Sequence, residues 1–107
     1  MKRRTPLIVA ATGLIVLAAF AAEDPKPSYK PKDGYVPDAK TAIKIAVAVW
    51  EPIYGEKLIA NEKPYHANLS NGVWTVTGSL PKGALGGTAI ADIAKDNGRI
   101  LRVIHEK

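Results

Sequence analysis

The pair Asn71-Gly72 stands between two short alternating runs, "YHANLS" and "VWTVTGSL", and no other feature constrains this chain as tightly. Both residues accept the positive φ that a two-residue hairpin turn demands, so the flanking runs are predicted to be antiparallel strands. Tyr65, Ala67 and Leu69 fall on one face, continued across the turn by Trp74, Val76 and Gly78, while Thr75, Thr77 and Ser79 mark the wetter side. A second hairpin is expected from "TAIADIA", the turn Asp96-Asn97-Gly98 and "RILRVIHE", with the loop "PKGALGG" between the two. The last strand departs from clean alternation. Leu101 and Val103 are placed on one face and Ile100 and Ile104 on the other, so both faces are apolar and the second wants a cover. The N-terminal leader, a second copy in a homodimer, or a partner protein would each serve.

Ahead of the hairpins the apolar period is helical. Asp38 is a good N-cap after Pro37, and Ile43, Ala46, Val47, Trp50, Ile53 and Tyr54 recur at three- and four-residue steps, widened by Ile45 and Val49. Pro52 cannot donate to the carbonyl of Ala48, which predicts a kink or a loosened last turn, and Gly55 supplies the stop. Glu51 is expected to point to solvent; as a catalytic acid it would need a partner, and only Glu56 is near in sequence. The fold class that follows is α+β, with one N-terminal helix on a curved antiparallel sheet of about four strands.

Two segments precede this unit. Lys2, Arg3 and Arg4 lead into "PLIVAATGLIVLAAFAA", an uncharged run marginally short of the ~20 residues a membrane-spanning helix needs. Basic start, apolar run and small residues at Ala19 and Ala21 match a signal peptide, residues 1–21, cut after Ala21. Residues 22–36, with Pro25, Pro27 and Pro31, read as an extended Pro-rich leader, and residues 37–107 as the folded domain. The product is expected in the periplasm or outside the cell, with no stable membrane association after cleavage. Removing Lys2, Arg3 and Arg4 from 15 basic residues leaves 12 against 10 acidic, so a net charge of +5 falls to +2 and nucleic-acid binding loses its electrostatic case.

Catalytic chemistry is hard to find. With no cysteine, thiol catalysis, thiolate metal sites and disulfides are excluded. His66 and His105 fall on different strands, with neither a metal-type carboxylate spacing nor a His-x-x-x-His pair beside them, and they read as ordinary strand-end residues. Ser70 and Ser79 lack a nucleophile-elbow context, "GALGG" lacks the lysine of a phosphate loop, and Asp92 stands alone on its strand. No catalytic, cofactor or metal residue is assigned, and an enzyme is not expected.

The order helix, hairpin, hairpin, with "AIKIA…W…IYG", then "EKPYHANLSNGVWTVTGSLP", then "GGTAIADIAKDNGRILRVIHEK", resembles the NTF2-fold immunity proteins of bacteria from about Val36 to the end. Trp50, Pro52, Tyr54, Gly55, Trp74 and Gly78 match that family's pattern and are expected to define the fold. The resemblance implies a small α+β cone whose members neutralise a cognate toxin by binding it. Full NTF2-like cones carry more helices around a pocket, so no family catalytic residue carries over to this smaller chain. Two other functions remain open on the sequence: a cell-envelope structural or inhibitor module of cystatin-like shape, and a small-ligand carrier or enzyme.

Overall fold

The computed structural model describes residues 28–107. The signal peptide and leader residues 22–27 lie outside them. Helix α1 (Ala39–Tyr54) starts where the sequence places it, with Asp38 in extended geometry and its Oδ1 accepting the Thr41 N–H at 2.8 Å. Those Thr41 bonds, with the charges of Lys40 and Lys44, hold the Asp38 carboxyl below its ordinary range. The seam that α1 buries is Ala42, Ala46 and Trp50, all fully enclosed.

This seam explains one departure. Steps of four residues on a helix of 3.6 per turn drift by about 40° each, so the line from Ala42 leads to Tyr54 and leaves Ile53 behind. Tyr54 packs against the core, whereas Ile53, expected in the stripe, is 56% exposed. The helix also runs through Pro52 to Tyr54 instead of loosening. Gly55, at φ 97°, ends it with its N–H on the Glu51 carbonyl at 2.8 Å, a conformation that suits a residue without Cβ. Glu51, expected in solvent, is half-buried.

A second helix follows at once. α2 (Glu56–Ala60) is one turn of five residues, too short to print a period in the sequence, yet it delivers Ile59 fully into the core. The single helix expected from the sequence is thus joined by this short one.

Four strands come next: β1 (His66–Ser70), β2 (Val73–Thr77), β3 (Ala89–Ala94) and β4 (Ile100–His105). They form one antiparallel sheet in the order β1-β2-β3-β4. Asn71 and Gly72 take φ of 50° and 77°, as the first hairpin requires. Trp74 and Val76 on β2 and Ala89, Ala91 and Ile93 on β3 are buried against α1 and α2. Alanine on both the helix seam and β3 lets the two backbones approach closely, and Trp50 closes one end of the seam.

The last strand corrects the expectation for its faces. Asp92 pairs with Arg102, but Ile93 pairs with Ile100, so Leu101 has no partner and forms a bulge. The slip puts Ile100 on the side of the buried Ile93, with Val103, while Ile104 stays on the far side.

The end of the expected leader is built into this unit. Tyr35 and Val36 donate their N–H groups to the carbonyls of Asp96 and Lys95, both at 3.0 Å, and Val36 is fully buried. The Trp74 indole N–H donates to the Val36 carbonyl at 2.8 Å. At Gly34, with φ 86°, a Cβ would stand 2.5 Å from the Lys95 carbonyl oxygen, so only glycine fits.

Candidate functional site

The residues that converge are not those singled out by the sequence. Glu62, in the link between α2 and β1, is 5% exposed and is the one buried charged residue among those described. Its Oε1 accepts the Ala89 N–H at 2.8 Å, its Oε2 lies 2.8 Å from His105 Nε2, and its carbonyl accepts the Ser79 N–H at 2.7 Å. One side chain therefore ties the α2–β1 link to the start of β3 and the end of β4. Gly78 makes the room, since a Cβ there would sit 2.4 Å from Glu62 Oε1. The Tyr54 ring meets His105 edge-on at 5.2 Å, which joins the end of α1 to the same cluster.

His105 is thus no ordinary strand-end residue. Its Nδ1 lies 2.8 Å from the Glu106 carbonyl, which can only accept, so Nδ1 carries a hydrogen. Its Nε2 is held at 2.8 Å by Glu62 Oε2. Both ring nitrogens thus have partners within the described residues. The pair works as a tie. Beside it, the Tyr65 hydroxyl donates to the Ile59 carbonyl at 2.7 Å; burial pushes it up, and the charges of Glu51 and Glu62 add to the shift. His66 is exposed on β1, at the opposite edge of the sheet from β4. Among the described residues no three His, Asp or Glu side chains gather as metal ligands would.

The face of the sheet turned away from the helices carries a second polar group. Across its middle run Asn68, Thr75, Asp92 and Arg102, directly opposite one another in register. Thr75 Oγ1 donates to Asp92 Oδ1 and Arg102 Nε to Asp92 Oδ2, each at 2.7 Å. Burial alone would raise the Asp92 carboxyl; the bonds from Arg102 and Thr75, with the guanidinium charge, outweigh it and hold the carboxyl below its ordinary range. Asp92 is therefore not alone, as its strand suggested. Half-buried Ile90 and Ile104 lie to one side of this polar row and Val73 and Ala94 to the other.

The family-pattern residues divide among structural tasks. Trp50 fills the core, its ring 5.9 Å from Tyr65 and its Nε1 without a hydrogen-bond partner among the described residues. Trp74 anchors Val36, Gly55 ends α1, Gly78 admits Glu62, Tyr54 rests on His105 and Pro52 is exposed. An open depression of about 220 Å³ lies elsewhere, against Lys32, Asp33, Gly34, Gly72, Lys95 and Asp96.

A helix packed on an open four-stranded antiparallel sheet is an NTF2-like α+β arrangement. Residues 41–107 match the NTF2 fold immunity protein family, and the chain belongs to it. It is also similar to a protein of Escherichia coli (strain K12) named "Uncharacterized protein YbbC", 37% identical over 67 residues. That stretch is 62% of this chain and 55% of the relative, so the chain spans about half the length of the curated protein it matches. No solved structure matches the chain. No described helix is long and apolar enough to cross a membrane.

Proposed function

We propose that this protein is an exported immunity protein that neutralises a cognate bacterial toxin by direct binding and transforms no substrate. Residues 1–21 act as the signal peptide, and the mature domain meets a toxin delivered to, or acting in, the periplasm. The observation that carries the reading is the family match, which runs from the first turn of α1 to the last residue. The geometry supports it physically. The most buried ionisable cluster has its imidazole nitrogens engaged, while a broad sheet face bearing an anchored arginine is free of the described helices. A binder needs such a face, and it needs no catalytic group.

The test is rescue of growth. Cells that export a cognate toxin domain should survive when the full-length protein is co-expressed. Rescue only by protein lacking residues 1–21 would contradict the placement in the periplasm, and no rescue by either form would contradict the immunity reading.

A further inference from the structure

The two edges of the sheet are built differently. β4 is interrupted by the bulge at Leu101 and carries Arg102, and a bulge and a charge both discourage an added strand. β1 has neither. Its residues, His66 to Ser70, include no Lys, Arg, Asp, Glu or Pro, and they pair with β2 without a register shift. Four of the five are exposed. Leu69 is 45% exposed although its register neighbours Trp74 and Ile93 are buried.

The hydrogen bonds of β2 show which backbone groups of β1 are free. Gly78 donates its N–H to the Ala89 carbonyl at 3.0 Å, and the Gly72 carbonyl accepts the Lys95 N–H at 2.9 Å. Alternate residues of an antiparallel strand turn to opposite neighbours. Gly72, Trp74, Val76 and Gly78 therefore bond to β3, and Val73, Thr75 and Thr77 bond to β1. Their partners there are Ser70, Asn68 and His66. Ala67 and Leu69 turn their N–H and C=O groups the other way, and no hydrogen bond among the described residues takes up those four groups.

We infer that β1 is the interface with a second copy of this chain, which extends the sheet from four strands to eight. An antiparallel copy centred on Asn68 sets Ala67 opposite Leu69 of the partner subunit, and Leu69 opposite the partner subunit's Ala67. Both become hydrogen-bonded pairs, so every outward group of Ala67 and Leu69 is used. Centring the copy on Ala67 or on Leu69 would use half of them. The side chains fit the same axis. A small alanine faces an exposed leucine on the helix side, and Asn68 meets its own copy on the outer side. An amide both donates and accepts, so it can bond to itself across a two-fold axis, as a charged side chain cannot. This self-complementarity selects a second copy over a foreign strand, which would have no reason to match it. The row Arg102, Asp92, Thr75 and Asn68 then continues across the axis, and the outer face of the sheet stays open.

The test is sedimentation equilibrium of the mature chain from about 10 μM to about 1 mM, because two such short edges bury less than the ~1,200 Å² of a stable interface. A monomer–dimer equilibrium is expected within that range. Amide exchange at Ala67 and Leu69 should slow in proportion to the falling monomer fraction, with the Asn68 amide, bonded to β2 in both states, as the internal reference. Asn68→Lys puts like charges on the axis at an exposed position and should weaken association about tenfold or more. Leu101→Asp, on the other edge, is the control and should leave association unchanged. A wild type that stays monomeric to the top of the range would overturn the inference and leave the immunity reading intact. A dimer whose Ala67 and Leu69 amides exchange at the monomer rate would also overturn it, and that readout decides even if Asn68→Lys fails to fold. A dimer that Leu101→Asp dissolves and Asn68→Lys does not would place the interface on β4 instead and overturn the assignment to β1.

Discussion

Glu62 and His105 lie 43 residues apart in sequence and 2.8 Å apart in space, Oε2 to Nε2. Through this contact the chain after α2 is fastened to the final strand, and the same carboxylate caps the Ala89 N–H. Removing it orphans two groups at once. Glu62→Ala should cost about 2–3 kcal/mol of folding stability, read by denaturant titration, because buried donors left unmade are expensive. A midpoint near wild type would mean that the pair is decoration.

Gly78 should be as sensitive as the residue it accommodates. Gly78→Ala places a methyl 2.4 Å from Glu62 Oε1 and 2.8 Å from its Cβ, so the carboxylate must move off Ala89 or His105. The expected loss is about 1–3 kcal/mol, the range for overpacking. Combining Gly78→Ala with Glu62→Ala should cost less than the two changes added. Simple additivity would show that they do not share a mechanism.

The two tryptophans make opposite demands. Trp50 is fully buried with no partner for its N–H among the described residues, whereas Trp74 donates to Val36. Either one changed to alanine should cost about 3–5 kcal/mol by cavity formation. The phenylalanine variants separate them: Trp74→Phe leaves the Val36 carbonyl unpaired, while Trp50→Phe removes an unmade bond. Trp74→Phe should be the more destabilising by about 1 kcal/mol. The reverse order in thermal melts would contradict the hydrogen-bond assignment.

Acid should weaken the outer face. A carboxyl held below its unfolded range contributes stability above the unfolded value and loses it as pH falls through the folded one. Asp92 is such a group. The stability gap between wild type and Asp92→Asn should therefore be full at neutral pH and close as the solution is acidified below the usual carboxylate range. A gap independent of pH would count against the Arg102–Asp92–Thr75 row.

How much of this was legible in the sequence depended on how local the cause was. The Asp38 cap, the Asn71-Gly72 turn and the burial of Trp50 and Trp74 follow from neighbours within one turn or one strand, and each was readable. α2 spans less than two helical turns and left no period. The bulge at Leu101 is a property of pairing between strands, so alternation read along β4 alone put Ile100 on the wrong face. Val36 looked like the end of a Pro-rich spacer because its partner, Trp74, lies 38 residues on. The Glu62–His105 tie left one faint trace: a glycine, Gly78, where the alternation of the first hairpin called for a side chain.

The central claim is neutralisation by binding, and stoichiometry tests it most directly. Fixed amounts of a cognate toxin domain are mixed with increasing mature protein, and the remaining toxin activity is measured at early and late times. The account predicts a linear fall that ends near one equivalent and does not change with time. Continued loss of toxin activity at a small fraction of an equivalent would mean turnover, and would contradict it.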